Sequence, residues 1–143
     1  MKDIRSREDI DMLMVAFYDA AFADESIGYI FTDVANMDLE EHLPVIGDFW
    51  ESVVFGSGVY AKSGRNPMVI HHQLSQKSTL LPEHFDRWLE IFTRIVDENF
   101  AGERSELIKM RAHSIANRMV ENICGHNPMF IARENPATDL PLQ

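Results

Sequence analysis

The sequence predicts an all-α domain, and three observations carry that prediction. Long stretches place apolar residues at intervals of three and four, the spacing of one face of an α-helix. No segment shows the sustained apolar-polar alternation of a half-buried strand. Glycine, proline and short polar breaks punctuate the stretches where helices should end. At 143 residues the chain suits one domain that buries most of its apolar surface, and is too short for two.

The first helix is expected over 7 to 22. Ser6 with Asp9 three residues on resembles an N-capping arrangement, and Ile10, Leu13, Met14, Phe17, Tyr18 and Ala21 mark one face. In 26 to 38 Gly28 breaks the period, and Ile30, Phe31 and Val34 suggest a short helix and a turn. The next helix, 39 to 56, carries Leu39, Leu43, Ile46, Phe49, Trp50, Val53 and Val54 on its stripe and closes at Gly56. Its Pro44 is tolerable only near the first turn, and a distorted start is expected there. Residues 56 to 66, with three glycines and two serines, read as a long connection. Pro67 opens a brief apolar stretch, "PMVIHHQL". Pro82 then starts a helix to about Asn99 with Phe85, Trp88, Leu89, Phe92, Ile95 and Val96 on its stripe. The last helix spans about 103 to 123, with Ile108, Ala112, Ile115, Met119 and Ile123, and ends at Gly125. The reading divides the chain into one domain, 1 to 124, and a poorly ordered tail, 125 to 143, with three prolines and no period.

Composition narrows the partners. With 45% hydrophobic and 25% charged residues the chain has the makeup of a soluble globular protein. A net charge of −10, from 23 acidic and 13 basic residues, repels nucleic acid and anionic membranes. The single Cys124 forms no internal disulfide and no thiolate cage, which fits a reducing cytoplasm. No leader pattern and no apolar run of membrane-spanning length stands in the sequence, so neither export nor a membrane partner is expected.

Six histidines, at 42, 71, 72, 84, 113 and 126, hold the functional information. A histidine on an apolar face is ordinarily a core residue with its ring nitrogens satisfied. His42 lies on the stripe of the second long helix, where its neighbours are going into a core. The residues three before each histidine are Leu39, Met68, Val69, Leu81, Met110 and Ile123, none acidic, which excludes the Glu-x-x-His pairs of a di-iron bundle. His-Glu-x-x-His and Cys-x-x-Cys are missing, so zinc readings fail. No Gly-x-Ser-x-Gly turn supports nucleophilic catalysis, and Cys124 reads as core. The adjacent His71 and His72 point about 100° apart on a helix, so at most one faces inward. His71 shares a face with Met68 and Leu74 and is the better inward candidate, while a surface position in a connector is the competing reading.

The segments "VAFYDAAFAD", "IGYIF", "EEHLPVIGDFWESVVFG", "NPMVIHHQL" and "LPEHFDRWLEIF" occur in the order and at about the spacing of the group III truncated haemoglobins, which the chain resembles over roughly residues 8 to 122. The Phe-Tyr pair, the His-x-x-x-Ile-x-x-Phe-Trp series and His-Phe-x-Arg-Trp are its signatures. The resemblance implies a two-over-two helical sandwich of the truncated globin type, holding haem b (iron protoporphyrin IX). It makes His71 the iron ligand, one residue from the competing His72, and leaves an open sixth position for dioxygen or another diatomic gas. Phe31, Ile46, Phe49, Phe85 and Trp88 are the expected haem walls, with a plain core role as the alternative for each. Tyr18 matches the family tyrosine that donates a hydrogen bond to bound gas. Such a donor in a dry pocket stabilises the partly charged dioxygen ligand by roughly 1 to 3 kcal/mol. Trp88 offers a second donor, and His42 on the expected buried face a third, or a gate. Tyr60, Lys62 and Arg65 are candidates for the propionates by charge and position, although a solvated loop is the favoured reading.

The expected function is gas binding, as in oxygen transport or sensing, with redox activity toward nitric oxide or peroxide as an enzymatic extension needing a separate electron donor. A helical interaction protein without haem, its histidines in the core, is the alternative.

Overall fold

The protein is described by a computed structural model over residues 1–34, 38–56 and 80–123. The described residues hold four long helices: α1 (Arg7–Ala23), α2 (Leu39–Phe55), α3 (Pro82–Asn99) and α4 (Glu103–Ile123), with a short π-helical segment (Ile30–Val34) after α1. Each long helix falls within a residue or so of its predicted limits. No strand occurs among the described residues.

The helix ends show which local signals were used. Ser6 takes the N-cap position of α1 with extended backbone, yet its side chain makes no capping bond. Asp9 does that work one residue earlier: Arg5 N–H donates to its carboxylate at 2.8 Å, and Lys2 pairs with it at 3.0 Å. Asp24 closes α1 and accepts the N–H groups of Ser26 (2.9 Å) and Ile27 (3.1 Å), which folds the chain into the π-helical segment. Gly28 is required in that corner, because a Cβ would run into the Phe22 carbonyl oxygen. α2 is capped by Asp38, which accepts Glu41 N–H at 3.4 Å, and ends on Gly56 at φ +67°, a left-handed conformation suited to glycine. The helix runs through Pro44, so the expected distortion does not interrupt it.

The start of α4 is capped from the far end of the chain. Asp3 accepts the N–H groups of Arg104 and Ser105, each at 2.9 Å, and the Ser105 hydroxyl at 2.7 Å. Burial alone would raise the Asp3 carboxyl, but these bonds outweigh it and hold the group at about 2. Arg104 in turn donates to the Ile4 carbonyl at 3.2 Å and lies 5.0 Å above the Phe55 ring, joining α4 to the end of α2.

α1 packs on α2 and α3, while α4 packs on α3 and α2, so two helix pairs lie one over the other. Phe17, Ile10, Leu13 and Met14 of α1 meet Ile91, Phe92 and Val96 of α3 and Ile108 of α4 in one core. Ile91 and Ala116 are buried although the predicted stripes passed them by, and Ile115 is only partly buried. α1 and α2 are also tied by Arg7, whose guanidinium donates to Asp11, Asp48 and Glu51 at 2.8 Å each and to the Pro44 carbonyl at 3.1 Å. Gly47 leaves room for it, since a Cβ there would stand 2.5 Å from the Arg7 guanidinium. No helix among the described residues is long and apolar enough to cross a membrane. The predicted tail, 125 to 143, lies outside the described residues.

Candidate functional site

The expected wall residues are drawn together by a chain of aromatic contacts that begins on α1. Phe17 and Tyr18 are adjacent in sequence and differ in depth: Phe17 is fully buried, whereas Tyr18 sits half-buried at the edge of the stripe. Their rings meet edge to face at 4.7 Å. Tyr18 also stands edge-on to Phe31 of the π-helical segment at 5.8 Å and to Phe22 one turn along α1 at 6.3 Å. Phe22 stacks on Phe31 at 5.5 Å. Three rings therefore fix the plane of the phenol.

From Phe17 the network continues into α3 and α2. Phe17 contacts Trp88 at 5.6 Å and Phe92 at 5.2 Å, and Trp88 stacks on Phe92 at 5.2 Å. Phe92 meets Trp50 at 4.9 Å, and Trp50 meets Phe49 at 5.1 Å. Tyr18, Phe31, Trp88 and Phe49 are thus linked through buried Phe17, Phe92 and Trp50 while remaining half-buried themselves. Ile46, one turn before Phe49, is half-buried on the same line of α2. Phe85 is buried with the core.

Two polar atoms are carried by this wall. The Tyr18 hydroxyl and the Trp88 indole N–H have no hydrogen-bond partner among the described residues. Burial pushes the Tyr18 phenol well above its ordinary range, so the group is a neutral donor at physiological pH.

His42 departs from its expected setting. It is exposed, and its Nδ1 lies 2.8 Å from the Asp38 carbonyl oxygen. The apolar stripe of α2 is wide enough for two lines of residues. The deeper one runs through Leu43, Gly47, Trp50 and Val54, and the shallower through Ile46, Phe49 and Val53. His42 belongs to the shallower line, in the first turn, where its ring bonds a helix-start carbonyl instead of entering the core.

His71, the competing His72, and Tyr60, Lys62 and Arg65 lie outside the described residues. Sequence reasoning missed Phe22 as a member of the site. Its signal was the four-residue spacing from Tyr18, which stacks side chains on one helical face. Phe17, Phe92 and Trp50 were legible as core residues, but not as the bridges between the wall positions. Asp24 and Arg87, paired at 2.7 Å between the end of α1 and the start of α3, carried no sequence signal.

No family model matches the chain. The chain is 29% identical over 115 residues to the group 3 truncated haemoglobin ctb of Campylobacter jejuni, covering 78% of this chain and 86% of that protein. The crystal structure of a group III truncated haemoglobin from Campylobacter jejuni superposes with a TM-score of 0.73 at 28% identity, covering 86% of this chain and 95% of that one. By sequence and fold together, the chain is a relative of the group III truncated haemoglobins and has their all-α, two-over-two truncated-globin fold.

Proposed function

We propose that this protein binds haem b non-covalently and uses it to bind dioxygen or another diatomic gas. The observation that carries the reading is the wall itself: half-buried rings from four elements joined in one network, with the Tyr18 hydroxyl lacking a partner among the described residues. A flat apolar macrocycle suits such a surface, and the absence of Cys-x-x-Cys-His rules out the usual covalent attachment. The relatives are haemoglobins by name, which supports the same reading.

In this reading His71 would hold the iron, and Phe31, Ile46, Phe49 and Trp88 would line the cofactor, with Phe85 behind them. The haem iron would supply the binding of a diatomic gas. Tyr18 would donate a hydrogen bond to the bound gas, its ring already oriented by Phe17, Phe22 and Phe31. Trp88 contributes the second donor. His42, exposed and bonded to Asp38, acts from the rim as a gate. The single Cys124 suits a cytoplasmic location. Turnover of nitric oxide or peroxide is an extension of this reading that calls for a separate electron donor.

Pyridine haemochrome analysis tests the proposal: a b-type spectrum at one haem per chain is expected, and a protein that refuses haem would end it. His71→Ala should lose the haem or hold it only with added imidazole, while His72→Ala should be nearly silent. The reverse result transfers the ligand to His72.

A further inference from the structure

Asp24 divides its carboxylate between two parts of the fold. One oxygen, Oδ2, accepts the N–H groups of Ser26 at 2.9 Å and Ile27 at 3.1 Å. The other, Oδ1, accepts from Arg87, with Nε at 2.8 Å and Nη2 at 2.7 Å. The Asp24 side chain is 7% exposed against 43% for Arg87, so the acid is the buried member and the arginine is what compensates its charge.

On Oδ2 hangs the corner between α1 and the π-helical segment. The Asp24 carbonyl also accepts Gly28 N–H at 2.9 Å, and Ile27 and Ile30 are buried in the core, so this one residue fixes the whole turn. Phe31 follows Ile30 directly. It stacks on Phe22 at 5.5 Å and stands edge-on to Tyr18 at 5.8 Å, and the place of the corner therefore sets the rings around the phenol. On Oδ1 hangs α3, where Arg87 immediately precedes Trp88. The Phe17–Trp88 contact at 5.6 Å also joins α1 to α3, but it supplies area, whereas the charge-assisted bonds supply direction.

We infer that Asp24 and Arg87 are a positioning pair: the bond between them clamps the start of α3 to the corner that carries Phe31, and through Phe31 it sets the angle of the Tyr18 phenol toward a bound gas. The inference rests on the haem reading above. It assigns neither residue a contact with haem or gas.

The test uses the full chain loaded with haem, as wild type, Arg87→Ala, Arg87→Lys, Tyr18→Phe and the double variant Tyr18→Phe with Arg87→Ala. Arg87→Ala opens the clamp and leaves the Asp24 bonds to Ser26 and Ile27 in place. Dioxygen dissociation should quicken about three- to tenfold, because a hydrogen bond weakens steeply as its angle opens, while carbon monoxide release stays within about twofold of wild type. The carbon–oxygen stretching band of bound carbon monoxide, which responds to a donor aimed at it, should shift in Arg87→Ala and return toward wild type in Arg87→Lys. In the Tyr18→Phe background Arg87→Ala should move neither the band nor the dioxygen off-rate, because the pair acts through the phenol. Nuclear Overhauser contacts between the ring protons of Tyr18 and Phe31 are expected in the wild-type carbon monoxide complex and should weaken in Arg87→Ala.

A lower urea midpoint in Arg87→Ala with an unmoved band and off-rate would reduce the pair to a bridge of the fold and overturn the inference. So would an undiminished effect in the Tyr18→Phe background. Missing Tyr18–Phe31 ring contacts in wild type would overturn it as well, a result that needs no variant to fold. A wild-type chain with no Soret band fails at the haem reading and takes the inference with it, and is told apart from these outcomes by that missing band.

Discussion

Replacing Tyr18 by Phe removes one oxygen and its proton and leaves the ring in place. The ring is held by Phe17, Phe22 and Phe31 at centroid distances of 4.7, 6.3 and 5.8 Å, and none of these contacts involves the hydroxyl. The hydroxyl has no partner among the described residues, so no described hydrogen bond of the fold is lost, and stability should change by less than about 0.5 kcal/mol. A tyrosine serving only the fold would instead lose about 0.5 to 1.5 kcal/mol with its backbone partner. The function should respond in the opposite proportion. A hydrogen bond to a partly charged acceptor contributes roughly 1.5 to 3 kcal/mol, and each 1.4 kcal/mol is a factor of ten, so dioxygen dissociation should accelerate by about one to two powers of ten. Carbon monoxide, which carries little charge when bound, should respond far less. Stopped-flow release of both gases from wild type and Tyr18→Phe measures this, with Trp88→Phe and His42→Leu as companions and urea unfolding as the stability control. An unchanged dioxygen off-rate in all three variants, or an equal acceleration for both gases, would refute a polar wall acting on the ligand.

Gly47→Ala should push the Arg7 guanidinium out of its three-carboxylate site, because the new Cβ would stand 2.5 Å from it, and the urea midpoint should fall by an amount equivalent to about 1 to 2 kcal/mol while the rings of α3 are unaffected. Acid should destabilise the fold through carboxylates whose protons are held more weakly than in the unfolded chain. Asp9 is lowered first by the Arg5 N–H and then by Lys2, Asp24 first by Arg87, and Asp3 sits at about 2. Depressed carboxyls stabilise above the unfolded value near 3.9, so chemical stability should be flat from neutrality to about pH 5 and fall as the pH drops toward 2. Asp3→Asn should remove on the order of 1 to 2 kcal/mol of that acid-sensitive part, after allowance for its partial solvation, and a pH series of urea midpoints reads it directly. Phe92→Ala, which empties the junction of Phe17, Trp50 and Trp88, should cost about 3 to 5 kcal/mol and measurably loosen Trp88, seen as a shift in tryptophan emission.

The sequence by itself determined the all-α class, the limits of the four long helices and most of the core, because the 3.6-residue period and the residues that end helices are properties of the chain within a few turns. Tyr18, Phe31, Phe49 and Trp88 were legible as members of apolar faces for the same reason. Which side of a broad face goes deepest was not legible: periodicity alone treats His42 and Leu43 as neighbours on one stripe, and only the crossing of α2 against α1 and α4 chose the line through Gly47, Trp50 and Val54 and left His42 exposed. Polar partners far apart in the chain were equally hidden. Asp3 caps a helix 101 residues away, Arg7 reaches Asp48 and Glu51, and Arg87 finds Asp24, each pairing set by how helices cross and by which carboxylate the crossing leaves within reach of a donor. A side chain's local neighbours follow from its helix, but the depth at which it sits and the distant group it bonds follow only from the packing of one helix on another.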